Sequence, residues 1–404
     1  MASPGPPLHR TGIVASGVAV IAATYGLVRF GYGLHLPAMA AEFTLSTTTS
    51  GVIAAGSFLS YCVAAAVAAR LIARGRARSA LWTACAAASA GSLAIAVSWT
   101  PAVLAAGVLL SGSGAGAASP ALVTAVALTV RSPAAADRAQ AVVNAGTGLG
   151  VVGAGLTAVL APGAWRPAWA VAAVACLLAG AWADRSTRWS ASPPRAAPAA
   201  SGTVRHGDLV RPVLAAGLAG AGSAATWTFG RELLGDTGGL APRTTALLWC
   251  ALGAAGVLGA LSSAAVHRVG VRTSWTGTVL ITAAATALLA ALPWSIPAVG
   301  LGLVLFGAAY TALSGVLISW GSELRPHAPG RATATLFIAL TVGQAAGAVL
   351  LGGLAGWTGI TTAFLVAAAL GGCAALFSTS GAGRRSQTRA AEPDPAGVPG
   401  RGTG

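Results

Sequence analysis

The chain has 404 residues, of which 55% are hydrophobic and only 8% charged, and a formal net charge of +15. A soluble domain carries about 25% charged residues, so these cannot cover a water-facing surface; the chain reads as an integral membrane protein in a lipid bilayer. All 24 basic side chains are arginine. They fall between apolar runs rather than on a stripe interleaved with stacking aromatics, so no nucleic-acid partner is expected.

A membrane-spanning helix needs about 20 mostly apolar residues, whereas barrel strands need about 9–11 with a dyad pattern. By length the runs predict twelve helices. The first six cover 12–36, 48–69, 79–98, 102–130, 139–161 and 167–183; the second six cover 212–234, 244–265, 273–292, 297–320, 332–355 and 358–378. The first run is too long for a signal-peptide core and is followed by many more.

Run one contains YGLVRFGYGLHLPAM, Tyr25 to Met39, with Arg29 inside it. An ionisable residue in a membrane run costs at least about 2.5–3.5 kcal/mol on insertion scales and normally faces a cavity or a partner. Counted from Gly12, Arg29 lies in the outer half of the bilayer. Tyr25, Arg29 and Tyr32 share a face at i, i+4 and i+7. His35, near the run's outer end, is expected at the interface, where it can titrate near neutral pH. Run two brings Tyr61 to the same cavity. Run five is glycine-rich, NAGTGLGVVGAG, with Gly146, Gly150 and Gly153 among its glycines; glycine lets backbones approach and slide. Run seven ends in AATWTFGRELLGD, which carries Trp227, Arg231 and Glu232. Trp249 in run eight and Tyr310 in run ten are further cavity candidates. Asn144 and Gln344, in runs five and eleven, can hydrogen-bond across the bundle. Three readings of Arg29 stand side by side: a substrate ligand, an ion pair with Glu232 that forms when the outer gate closes, and a permanent structural contact.

Between the runs, 185–211 is rich in Pro, Ser, Ala and Arg and reads as a linker. It divides the chain into an N-terminal bundle, 1–184, and a C-terminal bundle, 212–378; a disordered tail, 379–404, follows. With the N-terminus inside, the loops on that side hold 20 arginines and the opposite loops two, Arg166 and Arg243. That imbalance predicts that both termini are cytoplasmic at the plasma membrane. Trp99, Trp165, Trp294 and Trp357 fall at outer ends, as an aromatic belt would. Glu323 and Arg325 suggest a solvated pair at the inner face. Cys62, Cys85, Cys176, Cys250 and Cys373 lie in apolar runs without CxxC spacing and predict neither a disulfide framework nor a metal site. No cofactor is expected. Without lysine there is no Walker A sequence, and no nucleophile–base arrangement suggests an enzyme. A non-transporting receptor or scaffold is disfavoured, since linker and tail hold no apolar or structured module.

The halves resemble each other: ARLIARGRARSALW follows run two and AVHRVGVRTSW follows run eight, which aligns Gly75 with Gly270, 195 positions apart. Two six-helix halves in parallel repeat is a transporter architecture. At this point the chain resembles the major facilitator superfamily over nearly all its length. The superfamily's basic turn after helix two is matched at Gly75 and Arg76. Its acidic position is Ile72 here and His267 in the second half, so the family's gate-locking carboxylate is not carried over. Arg-Phe-Gly-Tyr in the first helix is similar to one poorly characterised bacterial branch. The resemblance implies an all-helical twelve-span bundle and a monomeric secondary transporter of a small molecule, working by alternating access. An exporter (antiporter) of a drug-like compound or metabolite, with a proton as coupling ion, is the first expectation. The alternative is an importer or exchanger of a small anion or carboxylate with Arg29 as ligand.

Overall fold

The computed structural model describes residues 7–130, 132–189, 207–325 and 329–378. The residues 190–206 of the linker and the tail 379–404 lie outside them. The described residues form helices and short turns, with no strand among them. In chain order the spans are α1 (Thr11–Phe43), α2 (Thr47–Ala73), α3 (Ala77–Ala96), α4 (Pro101–Thr129), α5 (Pro133–Leu160), α6 (Trp165–Ser186) and α7 (Leu209–Thr237). Then come α8 (Pro242–Gly256), α9 (Arg268–Ala291), α10 (Ile296–Leu324), α11 (Pro329–Thr358) and α12 (Ile360–Phe377). Val63, Leu178 and Leu350 expose 65%, 66% and 66% of their surface, a perimeter that only lipid can cover favourably.

Three helix limits differ from expectation. The first span does not stop before Pro37 but continues to Phe43 with the proline inside, because a membrane helix tolerates an interior proline that packing supports. The helix of α7 begins at Gly207, ahead of Pro212. The eighth span is not one helix: after Gly256 it tightens into a 3-10 turn, Val257–Leu261, and then runs as helix to a break at Gly270.

The internal repeat is written into the backbone. Among the described residues, six have a left-handed φ, and they form three pairs: Thr44 with Gly239, Gly75 with Gly270, and Gly163 with Gly359. The first two pairs are 195 positions apart and the third 196. They end corresponding helices in the two halves. The exposed Trp99 and Trp294 keep the same 195-residue offset. The mismatch at Thr44 is informative, since a left-handed conformation costs a residue with a Cβ about 1–2 kcal/mol. Thr44→Gly is therefore expected to stabilise the protein by about 0.5–1 kcal/mol, after allowing for glycine's greater freedom when unfolded. Gly75→Ala meets nothing within 4 Å and is expected to cost about 1 kcal/mol through its φ alone. Thermal unfolding in detergent checks the pair; shifts of the same sign would refute this account.

Glycines set how closely the helices pack, and they divide into two groups. Gly146 and Gly150 of α5 lie against the carbonyls of Val18 and Ala22, and Gly26 of α1 lies against Gly150. These contacts are inside the N-terminal half. Gly153 only touches the Leu27 side chain at ordinary distance. Across the halves, Gly148 lies against the Gly253 carbonyl of α8 and Gly155 against Cys250. On the arginine-poor face, Gly33 meets the Trp227 carbonyl, Gly51 the Ala348 carbonyl and Gly352 the Thr47 carbonyl. Each is a place where a Cβ would strike backbone of the opposite half. These contacts lie at mid-depth or towards the arginine-poor face, so the bundle is closed there. At that face Trp165 is not part of an exposed belt: it is buried and donates to Glu42, which is also ion-paired with Arg166 at 2.6 Å.

Candidate functional site

Arg29 ends a π-helical segment, Ala22–Arg29, in the middle of α1; the Phe30 N–H reaches back five residues to the Tyr25 carbonyl at 3.0 Å. Such segments insert an extra residue into a helix and recur at functional sites. Because α1 runs on to Phe43, Arg29 is 18 residues from Thr11 and 14 from Phe43. It therefore stands close to mid-depth, slightly to the arginine-poor side of the middle.

The side chain is 9% exposed and enclosed by aromatic rings. Its Cζ lies 4.0 Å from the Tyr61 ring centroid, 5.3 Å from that of Phe58 and 5.9 Å from that of Tyr25. The Tyr25 and Tyr61 hydroxyls hydrogen-bond at 3.0 Å. Nη2 of Arg29 donates across the interface to Oε1 of Gln344 at 2.9 Å, and Nε2 of Gln344 donates to the Tyr310 hydroxyl at 2.8 Å. Nε and Nη1 of Arg29 are buried without a hydrogen-bond partner. From the C-terminal half, Trp227 stacks on Phe30 at 3.9 Å and meets Tyr310 and Phe306 edge-on at 5.4 and 5.6 Å. The indole N–H of Trp227 is also buried and unpartnered. Among the described residues, no acidic side chain forms an ion pair with Arg29.

One of the three readings paired Arg29 with Glu232 on closure of the outer gate; here the two do not pair. Glu232 instead accepts from the Thr47 hydroxyl of α2 at 2.9 Å. Arg231 is not a free ligand either. It donates to the Leu34 carbonyl of α1, to the Pro242 carbonyl at 2.7 Å and to the Thr245 hydroxyl at 2.8 and 3.1 Å. All three of its nitrogens are used, so it clamps α1 to the α7–α8 turn. Tyr32 leaves the Arg29 cluster: its hydroxyl donates to the Ser50 carbonyl at 3.1 Å. Asn144 accepts from Gln140 of its own helix and makes no bond across the bundle. Trp249 is buried against Gly230, within the C-terminal half. His35 is buried beside Trp169 rather than interfacial. Gly75, Arg76 and Gly270 shape turns distant from the cluster; Arg76 is exposed at the start of α3. Glu323 and Arg325 form no ion pair.

The sequence thus brings Tyr25, Arg29, Tyr61, Trp227, Tyr310 and Gln344 to one place. Phe30 was marked only as part of the Arg-Phe-Gly-Tyr motif, and nothing marked Phe58 and Phe306, apolar residues in apolar runs, or Thr47 as the partner of Glu232. The other advance signal was proximity: Phe30 follows Arg29 directly, and Phe58 precedes Tyr61 by three residues, one helical turn.

The sequence matches the family described as "Uncharacterised MFS-type transporter YbfB" over residues 21–379. It matches none of the curated proteins compared. Solved structures of similar shape include a bacterial homologue of the human lysosomal transporter Spinster, inward-facing and occupied. That likeness has 13% identity, covers 93% of this chain and 97% of that one, and has a TM-score of 0.76. The nucleoside transporter NupG is similar at 12% identity, 91% and 98% coverage and a TM-score of 0.71. The human organic anion transporter MFSD10 is similar at 19% identity, 93% and 100% coverage and a TM-score of 0.64. These likenesses establish the fold, and the family match establishes membership: the chain belongs to the major facilitator superfamily, as a transporter of its YbfB-type family and not an enzyme.

Proposed function

We propose that this transporter carries a small organic anion, held by Arg29 between the two halves and moved by alternating access. The observation that carries this reading is the pair of unpartnered Arg29 nitrogens, buried close to mid-depth with no ion-paired acid among the described residues. A buried unsatisfied donor costs about 1–3 kcal/mol, and more when charged. Cation–π contact with Tyr61 offsets about 2 kcal/mol of that when desolvated, but an organic anion supplies acceptor oxygens for these nitrogens through charge-assisted hydrogen bonds. The arginine imbalance supports placing the arginine-rich face in the cytoplasm of a plasma membrane, which makes this conformation closed to the outside. Glu232, at the α2–α7 contact, is the acid best placed for a coupling proton. The Phe30, Trp227, Phe306 and Tyr310 rings favour a second reading, efflux of an apolar drug-like compound.

Thermal unfolding of the purified protein with organic carboxylates, organic cations and neutral drugs separates the two. A ligand that binds only the folded protein adds about 2.7 kcal/mol at a hundred times its Kd. Carboxylates are expected to stabilise. Stabilisation by cations or neutral drugs alone would leave the efflux reading in place of the anion reading.

A further inference from the structure

Resting on the organic-anion reading, we infer that the site selects flat aromatic carboxylates that carry no ammonium group. Two observations define this class. First, the polar groups of this cluster that lack partners are donors only: Nε and Nη1 of Arg29 and the indole N–H of Trp227. Acceptors on the ligand satisfy them. With no carboxylate in the cluster, an ammonium group on the ligand would face the guanidinium with no counter-charge. Like charges brought together at a desolvated contact cost several kcal/mol, so amino acids are rejected although they carry the same carboxylate.

Second, the walls are rings in two orientations. Tyr61 lies 4.0 Å from the guanidinium carbon, and Trp227 stacks on Phe30 at an interplanar angle of 26°. Phe306 and Tyr310 lie parallel, within 2°, with centroids 5.7 Å apart. Trp227 stands edge-on to both, at 69°. These rings surround the carboxylate anchor, and an aromatic ligand that takes a place among them gains ring pairs, which add affinity beyond the apolar area they bury. A saturated ring fills the same volume without that gain.

The test is a binding series on the full-length protein in detergent with 3-phenylpropionate, 3-cyclohexylpropionate and phenylalanine. The phenyl acid is expected to bind about tenfold tighter than the cyclohexyl acid. Phenylalanine is expected to bind roughly a hundredfold more weakly than the phenyl acid. In Phe306→Leu and in Tyr61→Leu, measured separately in case one fails to fold, the phenyl preference is expected to fall while cyclohexyl binding persists. Equal binding of the two ring acids, or binding of phenylalanine as tight as that of the phenyl acid, would overturn the inference and leave the anion reading intact. Binding of no carboxylate by folded wild-type protein would overturn both.

Discussion

Arg29→Met is expected to abolish carboxylate binding, by a factor of at least about a hundred, while lowering the stability of the ligand-free protein by about 1 kcal/mol and by no more than about 2.5 kcal/mol. The binding loss follows from two charge-assisted hydrogen bonds at about 1.5–3 kcal/mol each. The small stability change comes from opposing effects. Removing a charge from mid-membrane is favourable by about 2.5–3.5 kcal/mol. Against it stand the lost cation–π contact with Tyr61, about 2 kcal/mol, and the unpaired Oε1 of Gln344, about 1–3 kcal/mol. A purely structural arginine behaves otherwise, because breaking a fully satisfied buried charge network costs about 3–5 kcal/mol. Arg231, with every nitrogen bonded, is the internal control: Arg231→Met is expected to show that larger loss. Arg29→Lys keeps the charge but loses the planar fork and the stacking on Tyr61, so binding is expected to fall without recovering the wild-type preference for carboxylates. Melting temperatures of both methionine variants, with and without 3-phenylpropionate, make the comparison. A ligand-free Arg29→Met protein as damaged as Arg231→Met would return Arg29 to a structural role.

The sequence was most legible where one physical constraint dominates. Span length located the helices, and the Gly75–Gly270 spacing showed the repeat, because few residues other than glycine accept the left-handed turn that both halves need. Thr44 and Gly239 belong to the same register, yet a threonine conceals it, since its conformation is imposed by the turn rather than favoured by the residue. Partners were least legible. A charge suggests an opposite charge, so Arg29 pointed to Glu232. The amide of Gln344, neutral and in the middle of α11, holds it instead. Arg231 found its partners in the carbonyl of Pro242 and the hydroxyl of Thr245, which come into reach only because the chain folds back after Thr237. Arg29 lies closer to mid-depth than a helix stopping at Pro37 would put it, because a proline normally ends a helix and Pro37 does not.

The division of glycines leads to the other large effect, Gly33→Ala and Gly51→Ala. A Cβ at either position strikes a backbone carbonyl of the opposite half, Trp227 or Ala348, and backbone cannot rotate aside as a side chain can. Both positions are helical, where alanine is favoured over glycine by about 1 kcal/mol. Each half should therefore fold at least as well as before, and the cost falls only on the state closed at the arginine-poor face. Overpacking costs about 1–3 kcal/mol, a shift of about 5–150-fold between two conformations. Transport is expected to fall steeply, because a cycle that cannot close one face cannot complete itself. Gly26→Ala differs, because it meets Gly150 inside the N-terminal half and lowers stability instead. The readout is thiol labelling from the arginine-poor face in a background without the five native cysteines. The probe is Ser50→Cys, at a position only 1% exposed in the closed state. Labelling is expected to be slow in that background, several-fold faster in Gly33→Ala and Gly51→Ala, and unchanged in Gly26→Ala. Slow labelling and normal transport in both of the first two variants would mean that these contacts do not gate the path.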